Sequence, residues 1–130
     1  MRKRDEIRQV FEAFIAALEE FRPERLAEIT TEDVKGHFSH VGETRGQSEL
    51  IQALTWKGMK MNVSRRQIVN FVVHTDGKSA QQSAYEMVLM GLDNGSFLFP
   101  FEYGGKYVNT YVQTEKGWKI CEIRYDMDWE

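Results

Sequence analysis

The sequence holds a single cysteine, Cys121, in 130 residues. No intramolecular disulfide can form, and nothing in the cysteine usage points to an oxidising compartment. Long apolar runs are also missing. Near the N-terminus the longest is Ala13–Leu18, too short for a signal-peptide core and far short of the ~18 apolar residues of a membrane helix. Positive charge is not in excess. Seventeen Lys and Arg against 20 Asp and Glu give a formal net charge of −3, which argues against a nucleic-acid binder, whose affinity rests on a positive field. There is no glycine-rich phosphate loop, nucleophile elbow, internal repeat or low-complexity segment. The expectation is a cytoplasmic protein, one domain over residues 1–130, with neither membrane nor nucleic acid as partner.

What is present divides the chain in two. In the first part Ile7, Val10, Phe11, Phe14, Ile15, Leu18 and Phe21 recur at spacings of three and four, which predicts a helix with one core-facing stripe. Pro23 followed by Glu24 suits a first helical turn, so residues 23–29 read as a second, short helix. Residues 34–40 suggest a short strand with Val34, Gly36, Phe38 and His40 on one face, residues 42–46 a loop, and residues 47–56 a third helix buried through Leu50, Ile51 and Leu54. The second part alternates. Asp76-Gly77, Asn94-Gly95 and Lys116-Gly117 separate four strand-like runs, residues 66–74, 79–92, 96–114 and 118–128. Helices first and an antiparallel meander afterwards is an α+β pattern. Pro100 and Gly104-Gly105 would bend the long third run and curl the sheet.

Sixteen residues are aromatic, and nine of them fall between Phe97 and Trp129. Tyr107, Asn109 and Tyr111 share one alternating face with Gly105. A buried face carrying tyrosine and asparagine needs polar partners, which a pocket would supply.

Gly104-Gly105-Lys106-Tyr107-Val108-Asn109-Thr110-Tyr111, then Lys116-Gly117-Trp118-Lys119-Ile120 and the closing Asp128-Trp129, resemble the SnoaL-like branch of the nuclear-transport-factor-2-like superfamily. Arg45-Gly46-Gln47, the Arg66–Asn70 stretch and the Asp76–Ala80 turn fit the same pattern. The resemblance covers nearly the whole chain. It implies a cone-shaped curled antiparallel sheet (an α+β barrel) with N-terminal helices over the concave face, usually a homodimer packed through the outer sheet faces. The family includes catalysts and non-catalysts, so the fold alone does not settle function.

Within the superfamily the closing strands are most similar to scytalone dehydratase and related small-molecule dehydratases. Those enzymes work without cofactor or metal, through a helix carboxylate, two pocket histidines and a strand asparagine. The match places Glu19 at the carboxylate and Asn109 at the asparagine. It departs at the histidines, where Arg66 and Ser83 or Ala84 stand instead. Glu19, Arg66 and Asn109 are therefore the catalytic candidates. Glu19 lies about 40° from Ile15 on the helical wheel, and its plain alternative is a solvated helix surface. A pocket Arg66 would bind a ligand carboxylate or enolate through its planar fork; its plain alternative is a strand-end surface arginine.

The ligand-wall candidates are Phe38, His40, Trp56, Tyr85, Met87, Tyr103, Tyr107, Tyr111 and Trp129, whose rings would suit a flat apolar guest. The family's usual register puts Ser83, Tyr85 and Met87 inside; the reverse puts Glu86 inside as a stronger acid/base candidate. Arg124, Asp126 and Asp128 share a face and read as a charged sheet edge, and the spacing of His37 and His40 does not suit a metal site. The expected function is a small-molecule pocket, a dehydratase, isomerase or cyclase acting by proton transfer on an apolar, aromatic or polyketide-like substrate. The alternatives are a non-catalytic ligand binder or a dimeric interaction module.

Overall fold

A computed structural model describes residues 2–55, 63–92 and 98–129. Helix α1 spans Lys3–Glu19, and its stripe Ile7, Phe11, Phe14, Ile15 and Leu18 is buried. The helix ends in a Schellman closure, with Phe21 N bonded to Leu18 O at 3.2 Å and Arg22 N to Ala17 O at 2.8 Å. Phe21, with φ of 55°, takes the left-handed position that glycine usually fills. The short second helix is a 3₁₀ turn, Pro23–Glu28, opened by its proline. The third helix, α2, spans Gly46–Ala53 with Leu50 buried. Trp56, at its expected end, lies outside the described residues, as does the Asn94-Gly95 turn.

Six strands follow in chain order: β1 Thr30–Phe38, β2 Gly42–Arg45, β3 Val63–Asp76, β4 Ser79–Leu92, β5 Leu98–Thr114 and β6 Gly117–Trp129. They form one curled sheet in the order β2-β1-β6-β5-β4-β3. The α+β class and the antiparallel meander β3–β6 stand as expected. Two features differ. Residues 42–45, expected as loop, form β2 against β1. The sheet is mixed and unclosed rather than an antiparallel barrel, because β1 runs parallel to β6, with Gly36 opposite Ile123 and Phe38 opposite Tyr125. A parallel pair needs a long connection, and β2, α2 and the strands β3–β5 provide it.

Irregularities set which side chains face inward. In β3 the pairing skips between Val69 and Val72, where Asn70 has φ of 57°, a conformation asparagine tolerates. In β6 it skips at Cys121, so that Ile120 and Ile123 are both fully buried and Tyr125 follows them inward. α1 covers the inner face across β3 and β6. Phe11 and Phe14 meet the Tyr107 ring edge-on, at centroid distances of 5.7 and 5.4 Å. No helix among the described residues is long and apolar enough to cross a membrane.

Candidate active site

Between the end of α1, the β1–β2 turn, the end of α2 and the inner face of the sheet lies a cavity of about 550 Å³. The upper wall is apolar: Ala17 and Leu18 from α1, Phe21 and Pro23 beyond it, Phe38, Val41 and Leu54. The floor is polar, and four adjacent strands build it. β3 contributes Arg66, β4 Glu86, β5 Tyr103 and Tyr107, and β6 Tyr125. His40 stands at the side on the turn after β1, edge-on to Phe38 at 6.1 Å and to Tyr125 at 5.7 Å. A largely apolar cavity of this size with a few convergent polar groups is the usual form of a small-molecule site.

The centre of the floor is an ion pair. Arg66 Nη1 donates to Glu86 Oε1 at 2.8 Å and to Oε2 at 3.2 Å. The side chains are 3% and 1% exposed. Tyr107 Oη donates to Glu86 Oε1 at 3.3 Å, and Arg66 Nη2 reaches Tyr103 Oη at 3.5 Å. Arg66 Nε and Tyr125 Oη are buried without a hydrogen-bond partner among the described residues. Gly105, opposite Glu86 in the ladder, makes room for this arrangement. A Cβ there would stand 2.5 Å from Asp126 O and 2.6 Å from Tyr125 Oη, so any side chain would push the tyrosine off the floor.

Burial raises the Glu86 carboxyl above its ordinary range, with Arg66 and Tyr107 pulling the other way. Burial alone would lower Arg66, but the Glu86 charge together with Tyr107 and Tyr103 outweighs it, and the guanidinium stays protonated. Burial, then the Glu86 charge, raises Tyr107 and Tyr125; burial also raises Tyr103, against the pull of Arg66. All three phenols therefore remain donors at neutral pH. Burial, then Arg66, lowers His40, which stays neutral there. One carboxylate with an elevated pKa, set among fixed donors, is suited to proton transfer next to a developing oxyanion.

Of the residues singled out from the sequence, Phe38, His40, Arg66, Tyr103 and Tyr107 line this cavity. Glu19 does not. Its Oε2 accepts from the Arg66 backbone N at 2.9 Å, so it ties the end of α1 to the β3 main chain. Asn109 and Tyr111 are fully buried away from the cavity. Gln82 Oε1 accepts from Asn109 Nδ2 at 3.2 Å and from Tyr111 Oη at 2.6 Å; Gln82 Nε2 and Asn109 Oδ1 are buried without a partner among the described residues. Tyr85 and Met87 point outward, 38% and 51% exposed. The register of β4 is the reverse one, with Ala84, Glu86 and Val88 inside. Trp129 is exposed and lies against Gly104. Trp56 falls outside the described residues. Arg124, Asp126 and Asp128 are exposed, but on the face of β6, which is paired with both β1 and β5 and is not a sheet edge. Plain alternation from Ile120 points Tyr125 outward; only the skip at Cys121 turns it in.

The model of the SnoaL-like domain matches residues 1–124. No curated protein matches the sequence. Among solved structures, a protein from Kribbella flavida superposes with a TM-score of 0.81 at 20% identity, over 98% of this chain and 92% of that one. A candidate scytalone dehydratase from Novosphingobium aromaticivorans gives 0.77 at 15% identity, over 93% and 80%. The hexachlorocyclohexane dehydrochlorinase LinA-type3 from Novosphingobium barchaimii gives 0.79 at 14% identity, over 98% and 88%. At these identities the structural likeness establishes the fold, and chemistry has to be argued from the cavity itself.

Proposed function

The chain belongs to the SnoaL-like domain family, and from that premise we propose that it is a lyase- or isomerase-type enzyme that moves a proton on a small, largely apolar or aromatic molecule, with Glu86 giving and taking the proton. One observation carries this reading: a carboxylate buried to 1% exposure on the floor of a ligand-sized cavity. Such a group is costly to bury. Its elevated pKa brings proton exchange with a weakly acidic C–H or a leaving hydroxyl toward neutral pH. Arg66 and the hydroxyls of Tyr103, Tyr107 and Tyr125 are placed around it to hold a negative oxygen as charge develops. The apolar upper wall keeps water off the intermediate and takes the rest of the substrate. The proposed step uses no metal or cofactor. Glu19 acts through Arg66 and is a positioning residue; Asn109 acts on the fold.

The test is solvent-deuterium exchange. The protein is incubated in heavy water with a panel of aryl ketones and aryl keto acids, and label at the carbon next to the carbonyl is read by mass spectrometry. Saturable incorporation is expected for some members, abolished when Ala53, on the cavity wall, is changed to tryptophan. Binding without exchange across the panel would leave a non-catalytic ligand-binding protein.

A homodimer is the second part of the proposal. Val69, Val72, Tyr85, Met87 and Leu89 form an apolar strip on the outer face of β3 and β4, each at least 36% exposed. A strip of that kind on a sheet face calls for a cover, and a second copy supplies one of matching shape. Sedimentation should show twice the 15.2 kDa chain mass, falling to one chain in Met87→Glu. A wild-type monomer at micromolar concentration would refute the dimer.

A further inference from the structure

The hydrogen bonds of Arg66 are one-sided. A guanidinium carries five N–H donors in a rigid plane. Glu86 takes both of its contacts from Nη1. Among the described residues, Nη2 has only the 3.5 Å contact with Tyr103, and Nε has no partner. The Nε and Nη2 N–H groups point the same way from one edge of the plane, and that edge is the fork that accepts two oxygens of a planar acid. The most deeply buried cation of the cavity thus has its strongest recognition edge unused.

The charge of the cavity points the same way. Among the described residues, Arg66 and Glu86 are the only lining residues of ionic type. Facing Glu86 are Arg66 from β3, Tyr103 and Tyr107 from β5, Tyr125 from β6 and, at the side, His40 from the turn after β1; Glu19 of α1 reaches only the Arg66 main chain. Among the described residues, none of these offers a second positive charge at neutral pH. If a second carboxylate shared Arg66 with Glu86, two anions would compete for one cation in a water-poor site, and one of them would take a proton.

We infer that the ligand carries a carboxylate on an apolar or aromatic body, that this carboxylate seats on the Nε–Nη2 edge of Arg66, and that its arrival brings one proton onto Glu86. The upward displacement of Glu86 by burial marks it as the partner that protonates. In the complex Glu86 is then a neutral acid, able to hand its proton to a leaving hydroxyl or a carbonyl oxygen while Arg66 holds the substrate. This deepens the reading proposed above and rests on the cavity being a ligand site, but it does not depend on turnover.

Binding of naphthoate and of its neutral amide, naphthamide, to the intact protein by titration calorimetry tests it. Naphthoate should bind at least about tenfold more tightly than the amide at neutral pH, the loss expected for an unpaired buried charge. Its affinity should fall by about tenfold per pH unit on the alkaline side, as one-proton linkage requires. Near pH 9, buffers of different ionisation enthalpy should report about one proton taken up per naphthoate bound. Glu86→Gln should bind naphthoate with a flat pH profile, and Arg66→Lys, which keeps charge but loses the fork, should lose at least about tenfold. Equal affinity for acid and amide, or no proton uptake up to that pH, would overturn this inference and leave the cavity reading standing. Failure of both probes to bind would overturn the two together. The buffer comparison uses wild-type protein only, so it decides the matter even where a variant does not fold.

Discussion

Arg66→Met should destabilise the fold by about 3–5 kcal/mol, because it leaves Glu86 buried beside no cation. The double variant Arg66→Met/Glu86→Met should recover most of that loss, since an apolar pair of similar volume needs no charge compensation. Urea unfolding of the wild type and both variants gives the comparison. The pH dependence separates electrostatics from packing. Glu86 is already raised in the folded state by burial, so its contribution is fully present below the unfolded carboxyl pKa of about 4.3 and is lost as pH rises through the folded value. Removing Arg66 takes away the attraction that opposes this rise, so the loss extends further into the neutral range. The penalty in Arg66→Met should accordingly be smaller at pH 5 than at pH 8. A penalty that does not change between them would mean that the guanidinium matters for its bulk alone.

Glu86→Gln should slow the proposed exchange reaction by about 10²–10⁴-fold, the usual contribution of a positioned acid or base. The amide is nearly the same size and keeps an oxygen for the Tyr107 hydroxyl, so the loss reports on the proton and not on shape. Glu19→Gln provides the contrast. Its remaining oxygen still accepts from the Arg66 main chain. It should cost at most about 1 kcal/mol of stability, since the hydrogen bond loses its charge but not its acceptor, with the exchange rate largely kept. Equal rate losses in the two variants would refute the division of roles between them.

The coarse architecture was legible because it depends on periodicity. The stripe from Ile7 to Leu18 could form only an amphipathic helix, and glycine turns bracketed the strands of the meander. The parallel pairing of β1 with β6 was not legible, since no local signal records a partner so far along the chain. At the site the differences have separate origins. In β4 the outward residues Tyr85, Met87 and Leu89 are more apolar than the inward Gln82 and Glu86. Apolarity therefore does not separate the two faces, the family's usual register was carried over in its place, and with period-two alternation every side chain goes with that choice. Tyr125 was lost to the skipped residue at Cys121, and Glu19 and Asn109 were drawn toward the cavity by resemblance to a pattern whose histidines this chain lacks. Arg66 was the informative departure: an arginine in place of a histidine signals an ion pair, and its carboxylate partner was to be found on the neighbouring strand.

The parallel seam between β1 and β6 also governs when the cavity exists. His37 and Glu122, bonded across it, are 85 residues apart in sequence. Tyr125 of the floor belongs to β6, whereas Phe38 and His40 follow from β1. During synthesis, the meander β3–β5 and α1 can associate while the side wall is still missing. The wall closes only after β6 has been made and has threaded beside β1. Contacts of such long range close slowly, so the capacity to bind a ligand should be the last property a refolding chain regains, after its helical signal and most of its strand pairing have returned.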